Sequence, residues 1–137
     1  MLIFKRPSEM EFRQVKRLIG KFDLNLDDAS LQQFTILKNN DKLLAFGCIR
    51  KTETYAELDC VGVVEEQRGK GWGKMIVNKL LETGPPTIWL TTDTPKYFEK
   101  FNFVTSKQLP KDLARRVEQV NTGRKTRLKG MVYSKKK

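Results

Sequence analysis

The sequence contains no histidine. That removes a histidine general base, a Ser-His-Asp triad and every metal site that needs an imidazole. Cysteine is scarce as well: Cys48 and Cys60 are the only two, and both sit in apolar stretches without metal-ligand spacing. They are expected to be reduced, buried thiols rather than a disulfide, and no metal is expected. No apolar run approaches the roughly 18–20 residues that cross a bilayer, and the opening MLIFKRPSEM has no long apolar core of a signal peptide. The expectation is a soluble, cytoplasmic protein without a membrane partner. Any chemistry falls to carboxylates, hydroxyls, backbone groups and water.

The chain has 137 residues, 39% of them hydrophobic, enough for one core but not for two that are stable alone. A single domain spanning 1–137 is therefore expected. The net charge of +11 favours anionic partners, and nucleic acid, a polyphosphate cofactor or a small acidic substrate would each suit it. Much of the excess lies in Arg115, Arg116, Arg124, Arg127, Lys129 and the terminal Lys135-Lys136-Lys137, which read as a solvated face and tail.

Leu2-Ile3-Phe4 reads as a strand. Ser8 followed by Glu11 is a capping box, and Phe12, Val15, Leu18, Ile19 and Phe22 keep helical spacing after it. The stretch from Asp23 to Ser30 is polar and turn-rich, and a helical turn is expected near Asp28. Phe34 to Leu37 and Leu43 to Ile49 flank the turn Asn39-Asn40-Asp41-Lys42, and Tyr55 to Val64 completes an antiparallel meander of three strands. A helix opened by Gly69 to Gly73 carries Met75, Ile76, Leu80 and Leu81 until Gly84-Pro85-Pro86. The strand Thr87 to Thr92 follows, making a βαβ unit with parallel strands. A helix from Pro95 to about Phe101, a strand start at Phe103-Val104, a helix from Lys111 to Val120 and a strand from Lys129 to Ser134 finish the chain. The fold class is α/β with a mixed sheet. Phe4, Phe12, Phe34, Phe46, Phe101 and Trp89 are read as core.

Gly69, Gly71 and Gly73 alternate between a strand and a helix. Such a turn points backbone N–H groups at one spot, and at a helix start those groups bind phosphate, aided here by Arg68, Lys70 and Lys74. The spacing fits neither a Walker loop nor a dinucleotide fingerprint. A plain helix cap accounts for one glycine but not for three with flanking cations.

The R-x-x-G-x-G pattern of Arg68, Gly71 and Gly73, five residues after Val63, resembles the acetyl-CoA pyrophosphate loop of the GNAT acyltransferases. Tyr97-Phe98-Glu99-Lys100-Phe101-Asn102-Phe103 resembles that family's F-Y-E-K-x-G-F segment, with Asn102 at the glycine position, where a left-handed turn is tolerated. Element order agrees with the family over nearly the whole chain. The resemblance implies a mixed sheet with splayed central strands, acetyl-CoA as cosubstrate, and Val61, Gly62 and Val63 pairing their backbones with the cofactor. It also implies cofactor contacts from Arg68, Gly69, Lys70, Gly71, Trp72, Gly73 and Lys74, with Trp72 either packing on the sheet or shielding the cofactor. A narrower resemblance, to the acetyltransferase domain of N-acetylglutamate synthases and small amino-acid-acetylating relatives, rests on Ala56-Glu57-Leu58, Leu90-Thr91-Thr92, Tyr97-Phe98 and Leu109-Pro110. The resemblance implies Arg124-Lys125-Thr126-Arg127 as the counterpart of their basic C-terminal segment.

Acetyl transfer needs a neutral amine, a stabilised oxyanion and protonation of the leaving thiolate. Glu57 is the candidate base, on the strand leading to the glycine loop and, by period-two alternation, on one face with Asp59, Val61 and Val63. The alternative is an exposed carboxylate or a salt bridge to one of the many cations, for Glu57 and for Asp59 alike. The Val63 N–H is a candidate oxyanion donor. Phe98 occupies the place of the family's thiolate-protonating tyrosine. Tyr97 is one residue away, turned by about 100° on a helix, which leaves Tyr97 or water as the acid.

The function implied is acetyl transfer from acetyl-CoA to the primary amine of a small molecule, an amino acid above all. A protein or peptide N-acetyltransferase and a non-catalytic CoA-sensing domain are the alternatives. Nucleic acid is not an expected partner, because aromatics do not interleave with the cations. A homodimer is compatible with the sequence.

Overall fold

Ser8 accepts from the Glu11 amide at 3.2 Å while the Glu11 carboxylate accepts from the Ser8 amide at 2.9 Å. This capping box starts the first helix, α1 (Glu9–Lys21), where the sequence places it. The computed structural model describes residues 1–24, 26, 29–122 and 127–135. The helical turn expected near Asp28, the Arg124-Lys125-Thr126 part of the basic segment and the final Lys136-Lys137 lie outside the described residues.

The other elements are β1 (Leu2–Lys5), β2 (Phe34–Asn39), β3 (Lys42–Lys51), β4 (Ala56–Val63), α2 (Trp72–Thr83), β5 (Thr87–Thr92), α3 (Pro95–Glu99), β6 (Val104–Thr105), α4 (Lys111–Asn121) and β7 (Lys129–Ser134). Backbone ladders join the strands in the order β1-β2-β3-β4-β5-β7-β6. β1 is antiparallel to β2 and β2 to β3. β4 is parallel to β5, as a strand–helix–strand connection through α2 requires, and β7 is antiparallel to both β5 and β6. The fold is the expected mixed α/β sheet.

The chain divides into two compact units, Met1–Arg50 with Leu58–Gly84, and Lys51–Glu57 with Pro85–Lys137. In the first, the apolar face of α1 (Phe12, Val15, Ile19) joins Phe34, Ile36, Phe46, Cys48 and Cys60 in one buried cluster. Each fully buried large side chain contributes about 1.5–3 kcal/mol. Cys48 and Cys60 are both buried and free. The neighbouring Cys60 thiol and burial push the Cys48 thiol well above its ordinary value.

In the second unit, β5 and β7 pair from Thr87↔Ser134 to Thr92↔Lys129. Ala56, Ile88, Leu90, Phe101, Phe103, Leu113 and Met131 are its buried apolar residues among those described. Asn102 takes the left-handed turn with φ 70°, and the short helix α3 ends at Glu99, two residues before the Phe101 that the sequence suggests. Trp89 and Phe4 are half-buried rather than core. Trp89 faces away from Ile88 and Leu90 by strand alternation, and Lys79 Nζ sits 5.3 Å from the Phe4 ring centroid. A short 3-10 turn, Leu31–Gln33, has too few residues to show a period in the sequence.

Glu11 also draws two ammonium groups, Lys5 at 2.5 Å and Lys38. Burial alone would raise this carboxyl, but Lys38, Lys5 and Ser8 outweigh it and hold it at about 2, against an ordinary 4.5. A lowered folded value means that the stabilisation is complete above about pH 4.5 and is lost as pH falls towards 2. Glu11→Gln is therefore expected to cost about 1–2 kcal/mol at pH 7. It should also remove that part of the acid sensitivity in urea unfolding followed from pH 6 to roughly pH 2; an unchanged difference between variant and parent across that range would contradict the assignment.

Candidate functional site

β4 supplies both the candidate base and the backbone expected to pair with a ligand, and it is not a regular strand. Cys60 has φ 52°, and its N–H donates to the Asp59 Oδ1 at 2.8 Å. A left-handed residue inside a strand breaks the pleat as a bulge does. The alternation that would place Glu57, Asp59, Val61 and Val63 on one face is thereby interrupted. Ala56, Glu57, Leu58 and Cys60 are buried, whereas Asp59 and Val61 to Val63 are half-buried.

Glu57 is 3% exposed and stands opposite Trp89 in the parallel pairing with β5. Its Oε1 accepts a hydrogen bond from Arg116 Nη2. Asp59 Oδ2 accepts from Arg50 Nη2 at 2.5 Å, and Arg50 is itself 5% exposed. Both β4 carboxylates thus carry the salt bridge that the sequence leaves as one of their alternatives. For Glu57 the partner is 59 residues away, and no local pattern could have named it.

At the end of β4 the Val64 amide donates to the Leu44 carbonyl at 3.0 Å. A 3-10 turn, Glu65–Gln67, then leads into the glycine loop. Gly69 and Gly71 have φ 81° and 87°, and an added Cβ at either would meet nothing within 4 Å. The space before the loop is open, and what requires glycine there is the left-handed backbone. Gly71 is the N-cap of α2, whose first-turn amides have no acceptor within the helix. Gly73 lies inside α2. Lys70 Nζ donates to Gln67 Oε1 at 3.3 Å, and Lys74 is exposed.

Arg68 is fixed from two sides. Its Nε donates to the Val63 carbonyl at 3.2 Å, and its guanidinium lies 4.6 Å from the Phe22 ring centroid. Phe22 stacks on Phe46 at 6.4 Å and 5°. Phe46 in turn occupies the place of a Gly62 side chain, since a Cβ there would come within 2.5 Å of its Cζ. Gly62 therefore has a packing role whatever its backbone pairs with. Trp72 is half-buried, and its Nε1 is buried without a hydrogen-bond partner.

Left-handed glycines, first-turn amides, three cations and an orphaned indole N–H make a loop that fits a polyphosphate. Tyr97 is 44% exposed and packs edge-on against Phe98 at 5.0 Å, with Lys100 Nζ 3.9 Å from its ring centroid. It is a packed aromatic at the surface. Among the described residues no group of three or more His, Cys, Asp or Glu side chains could hold a metal. Among them, too, no helix is long and apolar enough to cross a membrane.

The sequence profile of the Acetyltransferase (GNAT) family matches residues 3–103. No curated protein matches the sequence. Among solved structures, N-acetylglutamate synthase from Neisseria gonorrhoeae, complexed with coenzyme A and N-acetyl-glutamate, has a TM-score of 0.78 at 15% identity; the match covers 100% of this chain and 36% of that one. The chain thus spans about a third of the synthase's length. Rv2747 from Mycobacterium tuberculosis, in complex with CoA and NLQ, gives 0.76 at 16% identity over 96% and 98% of the two chains. Arabidopsis thaliana Naa50, in complex with the bisubstrate analogue CoA-Ac-MVNAL, gives 0.71 at 16% over 97% and 98%. At these identities the likeness is one of fold.

The loop geometry generates a direct test. Gly71→Val should weaken binding of CoA at least tenfold in calorimetry, because a branched side chain both resists φ 87° and fills the open space before the amides. Far-UV dichroism should stay native. Unchanged affinity would reduce the loop to a helix cap.

Proposed function

Because the chain belongs to the Acetyltransferase (GNAT) family, we propose that it transfers an acetyl group from acetyl-CoA to the primary amine of a small molecule, with a free amino acid as preferred acceptor and residues 1–137 acting as one catalytic domain. The observation that carries this reading is the glycine loop at the start of α2, with Gly69 and Gly71 left-handed and cations on either side. Arg68, Gly69, Lys70, Gly71, Trp72, Gly73 and Lys74 hold the pyrophosphate in this reading, by amides and by charge.

The backbone of Val61, Gly62 and Val63 takes up the pantetheine arm. The Val63 carbonyl keeps a second lone pair beside the one that meets Arg68. The Val63 N–H stabilises the oxyanion, and Glu57, earlier on the same strand, accepts the proton that an ammonium must lose before it can attack. Tyr97 is exposed and packed by its neighbours, which favours water as the proton source for the departing thiolate.

Two features support a carboxylate-bearing acceptor over a peptide: the net charge of +11 and an arginine at the candidate base. Fold likeness does not choose, since the synthase and Naa50 are both similar. Acetyl-CoA at millimolar concentration should raise the melting temperature by mass action. Glu57→Gln should lower kcat by roughly 10²–10⁴-fold while leaving acetyl-CoA affinity within about twofold. Turnover confined to peptide amino termini would replace the acceptor assignment, binding without turnover of any amine would make the domain a CoA sensor, and a fully active Glu57→Gln enzyme would remove the base.

A further inference from the structure

Four strands of the second unit each place one residue on a single line across the sheet. Glu57 of β4 pairs with Trp89 of β5, Trp89 with Val132 of β7, and Val132 with Val104 of β6. Partners in a ladder point their side chains to the same face, so the candidate base begins a row that continues as tryptophan, valine and valine. Strands lie about 4.8 Å apart, which puts Trp89 and Val132 roughly 5 and 10 Å from Glu57 along the row.

The two faces of these strands are closed to different degrees. On the other face Ile88, Leu90 and Met131 are sealed. On the face of the row the cover comes from α4 and the residues before it: Arg116 meets Glu57, Leu113 is fully buried, and Leu109 occupies the place of a Gly130 side chain, two residues before Val132. Trp89 and Val132 are nevertheless only half-buried, and Val104 is 61% exposed. A tryptophan carries one of the largest apolar surfaces of any residue, and a strand paired on both sides, as β5 is, would gain by burying it completely. Apolar surface left open beside an ionisable group is the composition of a site that takes a small molecule.

Resting on the assignment of Glu57 as base, we propose that the acceptor bears an apolar side chain, branched aliphatic or aromatic, that lies across Trp89 towards Val132 while its amine is at Glu57. Trp89 and Val132 are then specificity residues, through their contact with that side chain. A leucine or phenylalanine side chain is about as long as the interval between two strands. Glycine leaves the surface wet, and an acidic or basic side chain gives up hydration to residues that offer it no hydrogen bond. The selection acts on the side chain and does not depend on whether the carboxylate is free.

The test is CoA thiol release from acetyl-CoA with glycine, alanine, leucine, phenylalanine, aspartate and lysine. Each is offered as the free amino acid and as the first residue of a dipeptide ending in glycine, and the preference is read within each series. Leucine or phenylalanine should exceed glycine by at least about tenfold in kcat/KM, since one buried methylene is worth roughly fourfold, with aspartate and lysine below alanine. Trp89→Ala should bring leucine and phenylalanine to within about threefold of glycine, mainly through KM, because the contact is the same in ground and transition states. A merely structural tryptophan would lower all acceptors together. Val132→Ala should lower the ratio of phenylalanine to alanine, and it covers the case in which Trp89→Ala does not fold. Equal turnover across side chains in the wild type, or a ranking led by aspartate or lysine, would overturn the inference and leave the acetyltransferase reading standing. So would an apolar preference kept intact in both variants, or a preference for hexanoyl-CoA over acetyl-CoA that Trp89→Ala removes, which would give the row to the acyl chain. No turnover of any member would overturn both.

Discussion

A carboxylate drawn out of water needs a cation, and β4 carries one that is buried, Glu57, and one that is half-buried, Asp59. Asp59 is met by Arg50 and Glu57 by Arg116, each within its own compact unit. These pairings decide more than local charge balance. Asp59 uses its other oxygen to hold the Cys60 amide, which keeps a left-handed residue in the middle of the strand. Glu57 requires α4 to present Arg116 rather than one of its other cations. The geometry of the strand and the choice of helix face follow from the same electrostatic demand.

Where the chain obeys a local rule, its sequence shows the structure closely. β5 and β7 run over the residues that alternation selects, α1 begins at its capping box, and Asn102 turns left-handed where glycine would otherwise be expected. Local rules fail at β4 because alternation presumes an unbroken pleat, and nothing in Asp59-Cys60 announces a positive φ. They fail again for the Arg116 partner of Glu57, since contacts between distant residues leave no periodic trace. Trp89 reads as core by its type alone, yet strand parity puts it opposite Ile88 and Leu90. The loop was the most legible part of the site because its glycines encode backbone conformation directly.

Arg68 shows how packing restrains a charged side chain. An exposed arginine ordinarily loses conformational freedom when it binds. Here the Val63 carbonyl, the Phe22 ring beneath it and Phe46 behind that ring already restrict it, for a cation–π gain of about 0.5–1 kcal/mol. Gly62 belongs to the same stack, because Phe46 needs the volume its side chain would fill. A substitution at Gly62 would thus reach the loop through two aromatic rings.

The two cysteines bear on the proposed reaction by where they are placed. A thioester is open to attack by any thiolate, and a protein that holds one close to accessible thiols risks transferring the acyl group to itself. Cys48 and Cys60 are sealed in the apolar cluster of α1 and the meander, and the Cys48 thiol is held far above its ordinary ionisation. Cys48, neutral and shut off from solvent, offers no nucleophile, and Cys60 is buried beside it. Two buried thiols are slow to meet a thiol-reactive dye while the fold is intact, so in an assay of CoA release the colour would report the cofactor rather than the protein.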